Sequence, residues 1–292
     1  MELRHVAVRA GKLSGFLKGE LNMSTGLVNR LKWSQRLLVN GGPARTNAPV
    51  QPGDVITVLL DEPEPEYPAE DFPLKILYED GDLLVVDKPP GMLIHPSHHR
   101  NTGTLANAVA GYYRRTNQSC AFHPATRLDR DTFGLVLLGK NSHVHKLLNG
   151  LHQEGRLQKT YRALVYGTMP RQEDIIDQPI GRLPKPSLLR RVDPEGQPSR
   201  TRYRVLERGE GWSLLELEPL TGRTHQLRIH CAFLGCPILG DPQYGSRESQ
   251  TLSAAMGLAF QQLCACRLDF PHPVTGQAMT LRSSLEVHHP VP

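Results

Sequence analysis

The sequence predicts an α+β protein built from two unequal bodies. Three observations carry that expectation. An acidic, proline-rich run at 61–73 cuts the chain after its first 60 residues. Segments of helical period are interspersed with short strand-like runs on both sides of it. Thr201–Leu206 and Trp212–Leu217 face each other across Arg208-Gly209-Glu210-Gly211 as a hairpin.

At 292 residues the chain is long enough to bury a full core and to hold two domains. Its 39% hydrophobic and 22% charged residues are ordinary for a soluble globular protein. No apolar run approaches the length that crosses a bilayer. The N-terminus lacks the apolar core of a signal peptide, so the expected location is the cytoplasm and no membrane partner is expected. Five cysteines, an odd number without framework spacing, suit a reducing compartment and free thiols. Cys264-x-Cys266 and Cys231-x4-Cys236 lack the C-x2-C spacing of structural zinc sites, so no metal is expected.

Charge is distributed more informatively than its total suggests. Residues 1–60 hold 8 Lys/Arg against 3 Asp/Glu, residues 61–71 hold six acids and no base, and residues 72–292 hold 26 bases against 20 acids. Two basic bodies on an acidic tether fit a protein that grips a polyanion with both.

Within the first body, Leu13, Phe16, Leu17 and Leu21 recur at helical spacing, and Leu27, Leu31 and Trp33 continue an apolar face in a second helix. A turn at Asn40-Gly41-Gly42 and the strand Val55–Leu60 follow. The tether, with Pro63, Pro65, Pro68 and Pro73, is expected to be extended and solvated. The second body opens with a buried strand, Leu83–Val86, that runs into Pro89-Pro90-Gly91. His95, His98 and His99 invite a metal reading, but no Cys or carboxylate stands at ligand spacing, so they read as loop polarity. Thr102 or Thr104 caps a helix over Leu105–Arg115, and Ser142 caps another over Val144–Leu151 that ends at Gly155. Lys159–Gly167 alternates like a strand, 170–200 shows no period and reads as loops, and Thr224 caps a helix that ends at Gly235. Leu263–Phe270 and Met279–Ser283 are the last strand candidates.

The stretch His123–Asn141 carries chemistry. Asp129 stands between Arg127 and Arg130, followed by Thr132-Phe133-Gly134 and then the apolar run Leu135–Leu138. That order is a polar loop, a tight glycine turn and a strand that anchors the loop to a core.

Four blocks stand out together: DLLVVDKPPG at 82–91, RLDRDTFG at 127–134, KTYRALVYG at 159–167 and TGRTHQLRIH at 221–230. They resemble the pseudouridine synthases, in particular the RluA-type branch that acts on ribosomal and transfer RNA. The family often has His before R-L-D and Ser after its threonine, where this chain has Thr126 and Phe133. Residues 1–60, with their VNGG and QPGD turns, resemble the small αL RNA-binding domain, with Ser24-Thr25 where that family has a Ser-Arg pair.

The resemblance implies a catalytic domain at 74–292 with a mixed, mainly antiparallel β-sheet flanked by helices and loops, an αL-like module at 1–60 and a linker at 61–73. It implies isomerisation of specific uridines in structured RNA, ribosomal or transfer, by a monomer. The glycosidic bond breaks, the base turns, and a ring carbon rejoins the sugar. Nothing is oxidised and no group leaves, so no cofactor is implied.

By the same resemblance Asp129 acts on the sugar as nucleophile or base, and Arg228 is its cationic partner. Tyr161 stacks on the base and is a candidate acceptor of its proton. Arg127 fills the gap left by a flipped-out uridine, and Leu227 is pocket wall. His225 and Gln226 read as structural. A glycosidase needs two opposed carboxylates, and Asp131 is too near Asp129 in sequence to supply the second. The competing expectation is a non-catalytic RNA-binding or ribosome-assembly factor that kept the fold. The joint presence of Asp129, Tyr161 and Arg228 argues against it.

Overall fold

The computed structural model describes residues 2–60, 67–97, 101–184, 187 and 189–288. The first body is a four-stranded sheet in the order Glu2–Val6, Val55–Leu59, Leu37–Val39, Gly42–Pro43, with the helices Leu13–Lys18 and Thr25–Leu31. Leu13, Phe16, Leu17, Leu37, Ile56 and Val58 form its core. Ser24 is the cap of the second helix, its hydroxyl accepting from the Leu27 N–H at 3.1 Å. That helix stops at Leu31, so Trp33 falls off the apolar face expected for it and stands 82% exposed. Asn40 closes the predicted turn by bonding Asp54 at 2.8 Å and accepting from the Val55 N–H.

Of the tether, residues 61–66 lie outside the described residues, as do His98 and His99. Its second half is not free in solvent. Asn107 donates to the Pro68 carbonyl at 2.9 Å, Glu70 accepts from the Gly103 N–H at 2.9 Å, and Asp71 pairs with Arg115 at 2.6 Å. These groups pin residues 68–71 to the helix Leu105–Arg115.

The second body is organised on one large sheet in the order Glu173–Asp177, Arg200–Gly209, Trp212–Pro219, Gln158–Tyr166, Leu263–Pro271, Phe133–Gly139, Leu83–Lys88, Lys75–Glu79. All neighbours on this path are antiparallel except Phe133–Gly139 and Leu263–Pro271, which run parallel. The fold class is therefore the expected one. Leu83–Lys88 and Phe133–Gly139 are buried throughout because each face is covered by a different helix. Leu84, Val86, Val136 and Leu138 pack with Leu105 and Val109, while Leu83, Val85, Leu135 and Leu137 pack with Val144 and Leu148. Burial on both faces explains why these strands read as unbroken apolar runs. Each such side chain contributes roughly 1.5–3 kcal/mol.

Several local expectations need correction. Residues 173–177 are an edge strand, and Ile180–Arg182 pairs with Arg190–Val192, so 170–200 is not all loop. Edge strands need only a half-apolar pattern and tolerate charges, which hid them. The helix Arg247–Ala255 has only Ser249 and Ser253 buried and so presents no apolar stripe. Thr104 does cap its helix, with Asn107 completing a capping box. Asn141, not Ser142, caps the helix Ser142–Gln153, because its side chain reaches the Val144 N–H at 2.9 Å. His225, not Thr224, precedes the helix Gln226–Phe233, and it does so at φ 58.

Candidate active site

Sheet register sets up the site. Tyr161, Ala265, Gly134 and Lys88 lie in one row across four strands. A bulge between Thr160 and Tyr161 re-aims Tyr161 at that row. Gly134 has φ 102, and a Cβ there would stand 2.4 Å from the Ala265 carbonyl oxygen. Only glycine lets the strand after Asp129 come this close to its parallel neighbour.

The loop that carries Asp129 is pinned from several sides. Lys88, fully buried, donates from Nζ to the carbonyls of Arg130 at 2.9 Å, Pro89 at 2.9 Å and Met92 at 2.8 Å. Burial pushes its ammonium down to about 7, while the charges of Asp131 and Asp129 pull it back up. Gln261 donates to Thr132, and the buried Thr126 hydroxyl accepts from the Leu137 N–H at 2.9 Å. Thr126 is thus a strut between loop and strand. Asp131 is occupied by Arg130, at 2.8 Å from Nη2.

Asp129 itself is left 29% exposed at the side chain and accepts from Arg228 Nη1 at 3.0 Å. Arg228 is held from behind. Its Nε and Nη2 fork onto the two oxygens of Asp241 at 2.7 and 2.8 Å, Nη2 also meets Gln243 at 2.8 Å, and the guanidinium lies 4.9 Å from the Tyr244 ring centroid. Burial works against the charge of Arg228, but Asp241 and then Asp129 outweigh it and raise its pKa. Asp241 is fully buried at the side chain, and its Oδ1 also accepts the N–H groups of Gln243 and Tyr244. The turn before it requires Gly240, at φ 75, where a Cβ would stand 2.2 Å from the Phe260 carbonyl oxygen.

Among the expected site residues, Asp129 and Arg228 meet directly, and Tyr161 is close enough for the Asp129 charge to act on it. Burial, then Asp129, raises the Tyr161 phenol. Leu227 is buried in the same core cluster as Tyr161 and Leu128. Arg127 is exposed, and its charge, after burial, lowers His95. Gln226 is structural as expected, tying Thr221, Arg200 and Thr201 together. His225 is more than that: its Nε2 lies 3.9 Å from Asp129 Oδ2. Sequence reasoning missed Asp241, Gln243 and Tyr244. The available signal was a Gly-Asp turn directly after the apolar pair Ile238-Leu239.

Among the described residues one group stands at metal-ligand spacing, Asp80, Asp82 and His272. Both His272 nitrogens are already engaged, Nε2 with Asp80 at 2.9 Å and Nδ1 with the N–H groups of Val274 and Thr275. Asp80 in turn accepts from Tyr78, Asp82 and Leu83. The cluster reads as a clasp between the Lys75–Glu79 strand and the turn at 272–275. All five cysteines are free thiols. No helix of the described residues is long and apolar enough to cross a membrane.

A carboxylate presented by a guanidinium, with a buried tyrosine nearby and an exposed arginine two residues away, can act on a sugar and hold a base beside it. Residues 82–233 match the RNA pseudouridylate synthase family. Ribosomal large subunit pseudouridine synthase D of Vibrio cholerae is 36% identical, over 88% of this chain and 80% of its own. A Chloroflexus aurantiacus protein named as an uncharacterized RNA pseudouridine synthase is 40% identical, over 92% of this chain and 84% of its own. The solved structure of human RNA pseudouridylate synthase domain containing 1 superposes with a TM-score of 0.60 at 26% identity, covering 74% of this chain and 84% of that one. The chain belongs to the RNA pseudouridylate synthase family. It is an isomerase that converts uridine in RNA to pseudouridine.

Proposed function

We propose that this enzyme isomerises uridines of large-subunit ribosomal RNA, with Asp129 as the carboxylate that acts on the sugar. The observation that carries the site reading is the fork of Arg228 onto Asp241, which leaves one guanidinium nitrogen to present Asp129 at the opening of the site. Both routes to pseudouridine need that presentation: attack of the carboxylate on the anomeric carbon, and removal of the 2′ proton. Arg228 fixes the direction of the carboxylate. Tyr161 serves as the stacking surface for the base, its ring buried in the same cluster as Leu227. Leu227 walls the pocket, and Arg127 enters the stack vacated by the flipped uridine. The chemistry is a rearrangement, so neither a metal nor a redox cofactor enters it. Large-subunit RNA is favoured because relatives in Nitrosomonas europaea, Vibrio cholerae and Pasteurella multocida are named for it. The working form is a cytoplasmic monomer. Mapping pseudouridines in cellular RNA with and without this protein tests the substrate. Loss of one or more large-subunit positions supports it, and loss confined to transfer RNA overturns it.

The body at residues 1–60 adds affinity in this reading, not chemistry. Its removal takes away 8 basic and 3 acidic residues. Each lost phosphate contact flattens the log–log salt dependence of binding by roughly 0.7–0.9. The expected result is a higher RNA concentration for half-maximal rate with a similar maximum. Unchanged affinity and salt slope would assign the module another task.

A further inference from the structure

We infer that His225 is a positioning residue for Asp129, acting through a neutral imidazole whose Nε2–H faces the carboxylate. The inference rests on the proposed role of Asp129.

Its backbone points to function first. His225 has φ 58, in the left-handed region, directly before the helix Gln226–Phe233. Glycine and asparagine adopt that region most readily, and few other side chains do. Such strain gathers where a side chain must be aimed, and this one is aimed at the site.

The hydrogen-bond chain then accommodates this tautomer. The Arg190 N–H donates to the Tyr244 hydroxyl oxygen at 3.3 Å, and the Tyr244 proton can turn to His225 Nδ1 at 2.8 Å. An Nδ1 that accepts requires the imidazole proton on Nε2. That Nε2 stands 3.9 Å from Asp129 Oδ2, too long for a direct bond, and catalytic bonds of free enzymes commonly tighten only around substrate. A small swing of the carboxylate closes the gap, as does a sugar hydroxyl seated between the two.

The groups facing His225 are Asp129, Arg228, Asp241, Arg190 and Tyr244. Burial lowers its pKa, Asp129 opposes that, and Arg228 adds to it. The ring is therefore neutral near pH 7, giving Asp129 a directed dipole without a second full positive charge. As pH falls the ring gains a proton, Nδ1 can no longer accept from Tyr244, and Asp129 faces two cations that weaken it as nucleophile or base. His225 thus sets the acid side of the rate profile.

The test compares two substitutions in the full-length enzyme, with kcat and KM measured on RNA from pH 5 to 8. His225→Asn suits the left-handed backbone but withdraws the donor from Asp129. His225→Gln keeps an N–H donor near the Nε2 position but does not titrate. The expected result is an Asn variant with kcat down about tenfold or more, with KM and melting temperature unchanged. The Gln variant should keep kcat within a few-fold at pH 7 and lose the His-dependent acid limb. An Asn variant as fast as wild type, or an acid limb unchanged in both, overturns the inference. Failure of the underlying reading looks different, because Asp129→Asn would then remain active whatever His225 does.

Discussion

Asp129→Asn is expected to abolish pseudouridine formation while leaving RNA binding almost intact. The amide is nearly isosteric and still accepts from Arg228 Nη1, 3.0 Å away in the native protein. The loop is held by Lys88, Gln261 and Thr126, none of which bonds the Asp129 side chain, so its shape should persist. The amide is neither a nucleophile nor a base, and no neighbouring carboxylate is free to replace it. Asp131 is engaged by Arg130 and Asp241 by Arg228. A fall of about 10³-fold or more in rate is expected, as when other enzymes lose an acting group. Release of tritium from RNA labelled at uridine C5 measures it, and filter binding measures affinity. A rate within tenfold of wild type would remove Asp129 from the chemistry.

Arg228→Met is expected to damage stability as well as rate. The methionine fills much of the space but leaves the fully buried Asp241 carboxylate with no cation. Breaking a buried pair by deleting one partner typically costs about 3–5 kcal/mol. Removing both charges in Arg228→Met with Asp241→Asn, which keeps an acceptor for the Gln243 and Tyr244 N–H groups, should restore most of the lost stability without restoring activity. That pattern separates the structural half of the network, Arg228 with Asp241, from the half that presents Asp129. A single variant that melts with wild type, measured by circular dichroism, would mean the pair contributes little to the fold.

The sheet and half of the site could be read from the chain for a physical reason. Strands covered on both faces are written as unbroken apolar runs, and Leu83–Val86 and Leu135–Leu138 are such runs. Asp129 and Arg228 sit in short, dense blocks whose residue types announce chemistry. Asp241 does not, because a lone Asp after glycine looks like any surface turn until the fold buries it beneath Arg228. His225 was hidden for another reason: local propensity makes Thr224 the natural cap, whereas in the fold the chain turns left-handed one residue later, at His225, whose ring bonds Tyr244. The edge strand Glu173–Asp177, with one face in water and its charges paired to Arg171 and Arg200, carries too weak a pattern to distinguish from loop.

The place of Leu263–Pro271 in the sheet bears on how the enzyme is made. This strand separates Phe133–Gly139, which follows Asp129, from Gln158–Tyr166, which carries Tyr161. Gly134 and Tyr161, both registered to Ala265, are translated more than a hundred residues before it. A nascent chain that has emerged only to the helix Arg247–Ala255 therefore holds Asp129 and Tyr161 without the strand that joins theirs. Non-local insertion of this kind folds slowly. A polypeptide halted before Leu263 is therefore expected to be inactive toward RNA, because the strands that carry Asp129 and Tyr161 are then not joined.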